Sequence, residues 1–516
     1  MKINNEKSGI SRRIFLMNAC LAACVLPGRS LYALDVGSSA LVQTPSGPLR
    51  GESAGGVRVF RGVPFAEPPV GPLRFLPTVK IKPWAEVRDV TKFAAAPMQE
   101  GTLPVPQSED CLTLNIWAPE GEGPFPVFVW IHGGGLTGGR ASDPMYHGEA
   151  FAREGIICVT VAYRLGVFGF LDLEPLLGAQ YAGTANNGVC DLVAGLEWVH
   201  ENIAAFGGDP SRVTVGGESA GAKLTGILMG VPSAQPYFHQ MISESGGAER
   251  IVPSAKSTDV ANGFGSTWRA QTGQDVSTLL TAPAASIIEA QHTFTANWAE
   301  HFPLRPEIDG TLLPRLPVQS ITKGTTRGKR LLIGTNRDES ALFIGPHPSK
   351  DPTAADLGNL PVEKFDDVYQ HYKEIYPQLT DEQRRIRALT AEEYYIPSMR
   401  VIDAHLKGGG SAWMYRLDFV QTSGHLEGYA YHSLDVGLVW GHPNTEVANA
   451  SDEAALAAQV SQAWAAFIRG DAPAAPGLPV WPRYRSDTRP TMILDTVSHV
   501  DEMPQETELR LWDGVL

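Results

Sequence analysis

The sequence predicts an α/β fold in which a mostly parallel central sheet carries helices on both faces. Residues 126–131 form a continuously apolar run, which is typical of a strand covered on both faces. Residues 156–162 form a second run of this kind, and apolar side chains recur at helical spacing within residues 191–205. Because strand and helix signals alternate along the chain, a parallel sheet with helical connections is favoured.

The other elements extend this pattern over a single domain that we place at residues 34–516. No internal repeat or long low-complexity linker divides it. Residues from about 255 to 405 are rich in helical patterns, which we interpret as helical insertions. Further strands are predicted over residues 112–117, 329–335 and 413–417, and further helices over residues 364–376, 381–395 and 454–468.

Composition excludes several classes of function. The chain of 516 residues is 43% hydrophobic and 19% charged, which is ordinary for a soluble globular protein. A net charge of −14 and the lack of a Lys/Arg-rich run argue against nucleic-acid binding. No stretch of 18 apolar residues occurs, so no transmembrane helix is expected.

Residues 1–33 resemble a bacterial twin-arginine export signal. Ser11, Arg12 and Arg13 follow a polar, basic start and precede a moderately apolar segment. We expect cleavage near Ala33 and a mature protein in the periplasm or outside the cell. The alternative is a lipoprotein box ending at Cys24, in which case a lipid on this cysteine anchors the protein to a membrane.

The five cysteines show no disulfide framework. Cys20 and Cys24 lie in the signal, and the other three have no regular spacing. We therefore expect buried free thiols at Cys111, Cys158 and Cys190, whose redox state the sequence leaves open.

The chemistry centres on a G-x-S-x-G motif formed by Gly217, Ser219 and Gly221. A β-branched run from Val213 precedes it, and a helical pattern of small residues follows it. This strand–turn–helix context holds Ser219 in a tight turn at a helix N-terminus, where its hydroxyl can act as a nucleophile. The alternative is a glycine-rich turn in which the serine caps the helix.

A serine nucleophile needs donors for the oxyanion, a base, and an acid that orients the base. Gly134 and Gly135 follow a buried strand, so their N–H groups and that of Ala220 could converge on a carbonyl oxygen. A flexible glycine turn is the alternative interpretation of this run.

Several residues compete for the roles of base and acid. His432 lies in a predicted strand-to-helix loop, whereas His132 precedes the glycines and is expected to shape their loop. Asp338 and Glu339 both follow a predicted strand, and either could be the acid or occupy a helix N-terminus. The chain order of serine, acid and histidine is that of the α/β-hydrolases.

Stretches along nearly the whole chain after the signal match one family. They are residues 60–71, 108–115, 132–135, 163–171 and 202–210, together with the serine motif. On these the chain resembles the type-B carboxylesterases, which include cholinesterases and bacterial para-nitrobenzyl esterases. The resemblance implies an α/β-hydrolase fold with Ser219 as nucleophile, Glu339 as acid and His432 as base.

The same resemblance assigns residues around this triad. It implies that the N–H groups of Gly134, Gly135 and Ala220 form the oxyanion hole. Ser245 matches a serine that lies near the triad in this family, and Glu218, which precedes the nucleophile, is placed with Ser245 around the catalytic groups.

The chain also departs from the family pattern. Met98 stands where the family often has the cysteine that pairs with Cys111, so no disulfide is expected there. Ser433 and Asp435 replace the usual Gly or Ala and Glu after the base, and Leu136 replaces a common aromatic after the glycines. These last departures leave the substrate preference open.

The resulting prediction is an exported serine carboxylesterase that hydrolyses small-molecule esters through an acyl-enzyme. The reaction needs no metal or redox cofactor, and the chain has no H-E-x-x-H or Walker motif. Phe343, Tyr431 and Trp440 are aromatic candidates for lining the pocket. The alternatives are an inactive, cholinesterase-like binding protein and a hydrolase of amides, carbamates or lactones. The physiological ester and the oligomeric state stay open.

Overall fold

The computed structural model describes residues 38–354 and 356–516. The predicted export signal over residues 1–33, with its cleavage site and Cys24, lies outside these residues. Within them, no helix combines the length and the apolar character that crossing a membrane requires.

One large sheet organises the described residues. The strands are β1 (Ser38–Thr44), β2 (Gly47–Ala54), β3 (Val57–Pro64), β4 (Arg88–Asp89), β5 (Ala96–Pro97), β6 (Gln107–Ser108), β7 (Thr113–Pro119), β8 (Phe125–Ile131), β9 (Ile157–Val161), β10 (Gly208–Glu218), β11 (Gln240–Glu244), β12 (Val252–Pro253), β13 (Glu307–Ile308), β14 (Arg330–Asn336), β15 (Ser411–Leu417), β16 (Thr491–Leu494) and β17 (His499–Asp501). Thirteen strands of the described chain form this sheet. Its centre is parallel, in the order β9-β8-β10-β11-β14-β15-β16, and its edges are antiparallel, so the predicted mostly parallel sheet is confirmed.

Helices flank this sheet. Those of the described residues are α1 (Glu149–Arg153), α2 (Gly166–Phe170), α3 (Glu174–Leu177), α4 (Asn187–Asn202), α5 (Ala220–Gly230), α6 (Ser254–Thr272), α7 (Ala284–Asn297), α8 (Pro317–Thr322), α9 (Ala341–Ile344), α10 (Val362–Tyr369), α11 (Tyr372–Ile375), α12 (Asp381–Thr390), α13 (Ile396–Lys407), α14 (Leu434–Val439), α15 (Ala450–Arg469) and α16 (Glu506–Leu511).

Two helices differ from their predicted form. The helix predicted over residues 364–376 is divided into α10 and α11. The helix predicted over residues 381–395 is α-helical only in α12, after which Ala391–Tyr395 forms a π-helical turn. Such turns are frequent at functional sites, and this one carries Tyr394, whose ring contacts the candidate site described below.

Strand β8 shows that the centre of the sheet is buried on both faces. Val127, Val129 and Ile131 belong to one apolar core, whereas Phe128 and Trp130 belong to a second. Because successive strand side chains point to opposite faces, the two cores lie on opposite sides of the sheet. This double burial explains the continuously apolar run in the sequence.

The second core also contains one of the residues predicted to line a pocket. Trp440 is fully buried and its ring contacts those of Phe128, Trp130 and Phe151. Trp440 therefore stabilises the core and does not line a pocket.

The cysteines of the described residues are unpaired. Cys111 and Cys158 are buried as predicted, whereas Cys190 is partly exposed. Burial raises the pKa of all three thiols, to about 12 for Cys190. All three are therefore protonated and weakly nucleophilic at neutral pH.

The strand order reverses at β8, because β9 pairs on one side of it and β10 on the other. The connections that leave β8 and β10 therefore run to opposite sides. In open α/β sheets this divergence leaves a crevice at the carboxyl ends of the two strands, where ligands bind. His132 follows β8 and Ser219 follows β10 at this edge. The fold thus places the glycine loop and the serine motif next to each other.

Two glycines allow α5 to begin against the end of β8. A Cβ built on Gly221 would lie 2.0 Å from the carbonyl oxygen of Ile131, and one built on Gly217 would lie 2.4 Å from the same atom. A side chain fits at neither position unless the backbone moves.

Gly221→Ala is expected to destabilise the protein by about 1–3 kcal/mol, the usual cost of adding atoms to a tightly packed site. The midpoint of denaturant-induced unfolding measures the loss. Gly138→Ala is the matched control, since its added Cβ would lie 3.5 Å from the nearest atom, Gln99 Oε1, which is an ordinary contact. Equal midpoints for the two variants would contradict the close approach of α5 to β8.

Candidate active site

Ser219 occupies the turn between β10 and α5 in a strained backbone conformation. Its φ of 56° and ψ of −122° are rare for a residue with a side chain. Its N–H donates to the carbonyl of Glu244 on the neighbouring β11 at 3.0 Å, and its own carbonyl accepts from the N–H of Lys223 in α5 at 2.9 Å. The turn is therefore fixed from both sides, while Ser219 stays partly exposed.

The loop after β8 passes beside this serine. Gly134 and Gly135 have φ values of 112° and 65°, in the region that favours glycine. A Cβ built on Gly133 would lie 3.2 Å from Ser219 Cβ. The N–H of Ala220 is the first of α5 and has no partner within the helix. The backbone of the glycine loop and the start of α5 therefore both lie beside Ser219.

His132 shapes the glycine loop, as its sequence position predicts. Its side chain is buried, Nδ1 lies 2.9 Å from the carbonyl oxygen of Gly133, and the ring stacks on Tyr163 with centroids 4.5 Å apart. Burial lowers the pKa of His132 to about 4, so this imidazole is neutral at pH 7.

His432 lies between β15 and α14, in the loop type that the sequence predicts, and is bound to Glu339. Glu339 Oε2 is 2.6 Å from His432 Nδ1, and both side chains are buried. The other oxygen, Oε1, accepts from the Ser245 hydroxyl at 2.5 Å and from the Asn336 N–H at 2.7 Å. These bonds orient the carboxylate, and they bring the predicted site residues His432, Glu339 and Ser245 together.

Asp338, the other candidate acid, binds two arginines instead. Its Oδ1 accepts from Arg387 at 2.8 Å and its Oδ2 accepts from Arg337 at 2.9 Å. Burial alone would raise the pKa of Asp338, but the two guanidinium groups lower it below its ordinary value. Of the two acids that the sequence leaves open, Glu339 is the one that contacts His432.

The opposite edge of the His432 ring faces Glu218. His432 Nε2 lies 3.0 Å from Glu218 Oε1, which also accepts a hydrogen bond from the Ser433 hydroxyl. Within the described residues, no hydrogen bond joins His432 to Ser219. The structure thus joins the predicted base directly to two carboxylates, those of Glu339 and Glu218.

These carboxylates determine the charge of the imidazole. Burial alone would lower the pKa of His432, but Glu218 and Glu339 outweigh burial and raise the pKa to about 9. Burial raises the pKa of Glu218 to about 7 and that of Asp435 to about 6. At pH 7 the geometry therefore favours a protonated imidazole held between Glu339 and Glu218.

Two aromatic rings pack on His432. The ring of Phe343 lies 5.1 Å from that of His432, and the ring of Tyr394 lies 4.8 Å from it, between centroids. Phe343 is 45% exposed, so this predicted pocket aromatic covers the histidine from the solvent side. Tyr394, which the sequence does not predict for this site, lies in the π-helical turn Ala391–Tyr395.

A buried ionic cluster lies behind Tyr394. Lys223 Nζ is 4.7 Å from the centroid of the Tyr394 ring, and Lys223 and Arg250 both donate to the Glu393 carboxylate. Burial alone would raise the pKa of Glu393, but Arg250 and Lys223 lower it to about 2. A lysine among the small residues that follow Ser219 is the sequence signal for this cluster, because a buried lysine needs a partner.

A serine held at the carboxyl end of a parallel strand, on the first turn of the next helix, is the arrangement of the α/β-hydrolases, and this chain has their fold. Within that class, residues 38–512 match the family model described as the Carboxylesterase family. The chain belongs to this family and is a carboxylic ester hydrolase.

Individual relatives agree with this membership. The para-nitrobenzyl esterase of Bacillus subtilis (strain 168) is 34% identical over 489 residues, which cover 90% of this chain and 96% of that protein. The fumonisin B1 esterase of Sphingopyxis macrogoltabida is 32% identical over 462 residues, which cover 86% of this chain and 84% of that protein. A crystal structure of a Geobacillus stearothermophilus carboxylesterase matches with a TM-score of 0.81 at 34% identity, covering 92% of this chain and 99% of that one.

Glu218→Gln is expected to move the acid limb of the pH–rate profile to lower pH. With His432 acting as the predicted base, activity should fall as the pH decreases through the pKa of His432. Removing the negative charge 3.0 Å from Nε2 lowers that pKa, so the limb of kcat/KM should move down by about one pH unit or more. Glu122→Gln, in the exposed turn between β7 and β8, is the control and should leave the limb in place. An unmoved limb in Glu218→Gln would contradict the coupling of the two groups.

Proposed function

We propose that the protein hydrolyses carboxylic esters through a Ser219–His432–Glu339 triad and an acyl-enzyme intermediate. The observation that carries the proposal is the 2.6 Å contact between Glu339 Oε2 and His432 Nδ1, at the edge of the sheet where Ser219 lies. Membership of the carboxylesterase family supports the reaction, and the similarity to a para-nitrobenzyl esterase supports small-molecule esters as substrates.

In this mechanism Glu339 determines which nitrogen of His432 is the base. The reactive form is the neutral imidazole, which is populated as the pH rises towards the pKa of His432. With Nδ1 bound to Glu339, the deprotonated Nε2 of this form takes the proton of Ser219 while Oγ attacks the ester carbonyl. Glu339 stays ionised and stabilises the imidazolium that forms. His432 then protonates the leaving alcohol as the tetrahedral intermediate collapses to the acyl-enzyme. Water repeats both steps, which releases the acid and restores Ser219.

The N–H groups of Gly134, Gly135 and Ala220 stabilise the oxyanion in this proposal. The glycine φ values are set by the loop, so the donors are oriented before the substrate binds. Losing one such donor typically costs about 3 kcal/mol of transition-state stabilisation. No side chain at Gly134 or Gly135 then competes with the substrate for this space.

Ser219→Ala is expected to lower the hydrolysis of para-nitrophenyl esters by about five orders of magnitude or more, because loss of the nucleophile leaves only binding and oxyanion stabilisation. Rates for a series of increasing acyl length measure this loss and the size of the acyl pocket together. Ser211→Ala, at an exposed serine after the start of β10, is the control and should keep the parent rates. Equal unfolding midpoints for the two variants show that each is folded.

An organophosphate tests the nucleophile without turnover. Labelling of Ser219 in the parent but not in Ser219→Ala would support the triad. A parent that neither turns over esters nor reacts would contradict the triad and favour a binding protein. Labelling without ester turnover would favour the alternative in which the protein hydrolyses amides, carbamates or lactones.

We also propose that residues 1–33 export the protein and that cleavage falls near Ala33. The support is the pair Arg12 and Arg13 between a polar start and an apolar segment, since the twin-arginine pathway recognises this pattern. A lipid anchor on Cys24 is the competing proposal for the mature N-terminus.

The double substitution Arg12→Lys and Arg13→Lys is expected to keep the full chain in the cytoplasm of a bacterium that has this pathway. Esterase activity in the periplasmic and cytoplasmic fractions measures the change, and the mass of the exported chain locates the cleavage site. Cys24→Ala is the control: it should leave export and solubility in place, whereas release from a membrane fraction would identify the lipid anchor. Export of the double variant at the parent level would contradict the proposal.

A further inference from the structure

Ser433 has an unusual conformation immediately before α14. Its φ of 66° and ψ of 7° lie in the left-handed region that favours glycine. It occupies the position before the first helical residue, where a serine side chain commonly accepts a hydrogen bond from an N–H of the first turn. At this helix start, which the described residues include in full, the side chain makes no such capping bond.

The hydroxyl contacts Glu218 instead. Ser433 Oγ donates to Glu218 Oε1, the oxygen that lies 3.0 Å from His432 Nε2. The other oxygen, Oε2, faces the glycine loop, since a Cβ built on Gly133 would lie 2.8 Å from it. The carboxylate is therefore confined by the histidine, the hydroxyl and the loop.

Strain and contact together indicate a role for this serine. A residue with a side chain is strained in left-handed backbone, and such strain persists where the surrounding structure imposes it, often at active sites. Ser433 makes no capping bond that would offset this strain, and its hydroxyl instead donates to the Glu218 carboxylate beside His432. We propose that Ser433 is a positioning residue that fixes the Glu218 carboxylate beside His432 Nε2 and favours its ionised form. This inference rests on the triad proposed above.

The basicity of a carboxylate beside His432 Nε2 matters for the proton transfers of the proposed mechanism. Nε2 carries the serine proton between the attack on the ester and the release of the alcohol. An ionised carboxylate at Nε2 stabilises the imidazolium, but a more basic one would take the proton and withhold it from the alcohol. A hydrogen bond donated to Glu218 Oε1 favours the ionised form and lowers its basicity. The proton then stays on His432 until the alcohol leaves.

Charged and titratable groups from several elements face Glu218 and His432. They are Asp435 on α14, Glu339 after β14, Glu244 on β11, and the phenols of Tyr146 and Tyr394. Burial raises the pKa of both phenols, so they are neutral at pH 7. Substitution of Ser433 leaves all these groups in the chain, so a change in the pKa of His432 can be attributed to loss of the Ser433 hydroxyl.

Ser433→Ala and Ser433→Gly together separate the hydroxyl from the backbone. Both remove the donor, but glycine also relieves the left-handed strain, so the glycine variant should unfold at a higher midpoint than the alanine variant. Without the donor, Glu218 is protonated at higher pH, and His432 loses part of the charge that raises its pKa. We expect both variants to shift the acid limb of kcat/KM down by about half a pH unit and to lower kcat by about tenfold. A loss confined to the less stable alanine variant would overturn the proposal.

The same substitutions in a Glu218→Gln background test whether the hydroxyl acts through Glu218. The carboxylate that Ser433 holds is then absent, so neither substitution should move the limb further. An equal shift in both backgrounds would overturn the proposal.

Carbon-13 NMR of the histidine rings, with the His432 signal assigned by its loss in His432→Gln, gives the pKa of His432 in the resting enzyme. A lower pKa of His432 in both Ser433 variants is the expected result, and it requires no turnover. The measurements also distinguish the two proposals. Activity at the parent level in Ser219→Ala would contradict the proposed triad. An unchanged His432 pKa in the Ser433 variants would contradict the proposed role of Ser433.

Discussion

The close approach between the end of β8 and the start of α5 determines the geometry of the site. Gly217 and Gly221 both abut the carbonyl oxygen of Ile131, and no side chain fits at either position. The chain must therefore reverse within one residue, and Ser219 takes the strained conformation that results, with φ of 56°. Since the glycine loop continues directly from Ile131, the same contact places its backbone beside the serine.

Buried charge is the second constraint, and it is met by pairing. His432 lies between Glu339 and Glu218, and Glu393 accepts hydrogen bonds from Lys223 and Arg250 in a separate cluster. An unpaired charge in either place would be strongly destabilising, since little water reaches these groups. The ring of Tyr394 contacts both His432 and Lys223, so this one side chain packs against both clusters.

The features that the sequence predicted well are those with local causes. The parallel strands and the serine turn follow from apolar runs and from glycines that are adjacent in the chain. The choice between Asp338 and Glu339 could not be made from spacing, because it depends on Arg387, which lies on a distant helix and binds Asp338. The contact of Ser433 with Glu218 joins the loop before α14 to the end of β10, far apart in sequence, so only the folded chain reveals it. Tyr394 was missed for a similar reason, since a π-helical turn shifts its side chain out of ordinary helical register.

The order of the parallel strands has a consequence for the newly made chain. Synthesis supplies β8, β9, β10 and β11 first, and with them the glycine loop and the serine turn. The acid and base of the proposed triad, Glu339 and His432, are made only with the segments that follow β14 and β15, which pair in turn beyond β11. A chain still attached to the ribosome can therefore hold the turn that carries Ser219 while it lacks the other two members of the proposed triad. Contacts over such sequence distances carry a large loop-closure entropy and form slowly, so with the proposed triad esterase activity should appear only when the carboxyl-terminal third has joined the sheet.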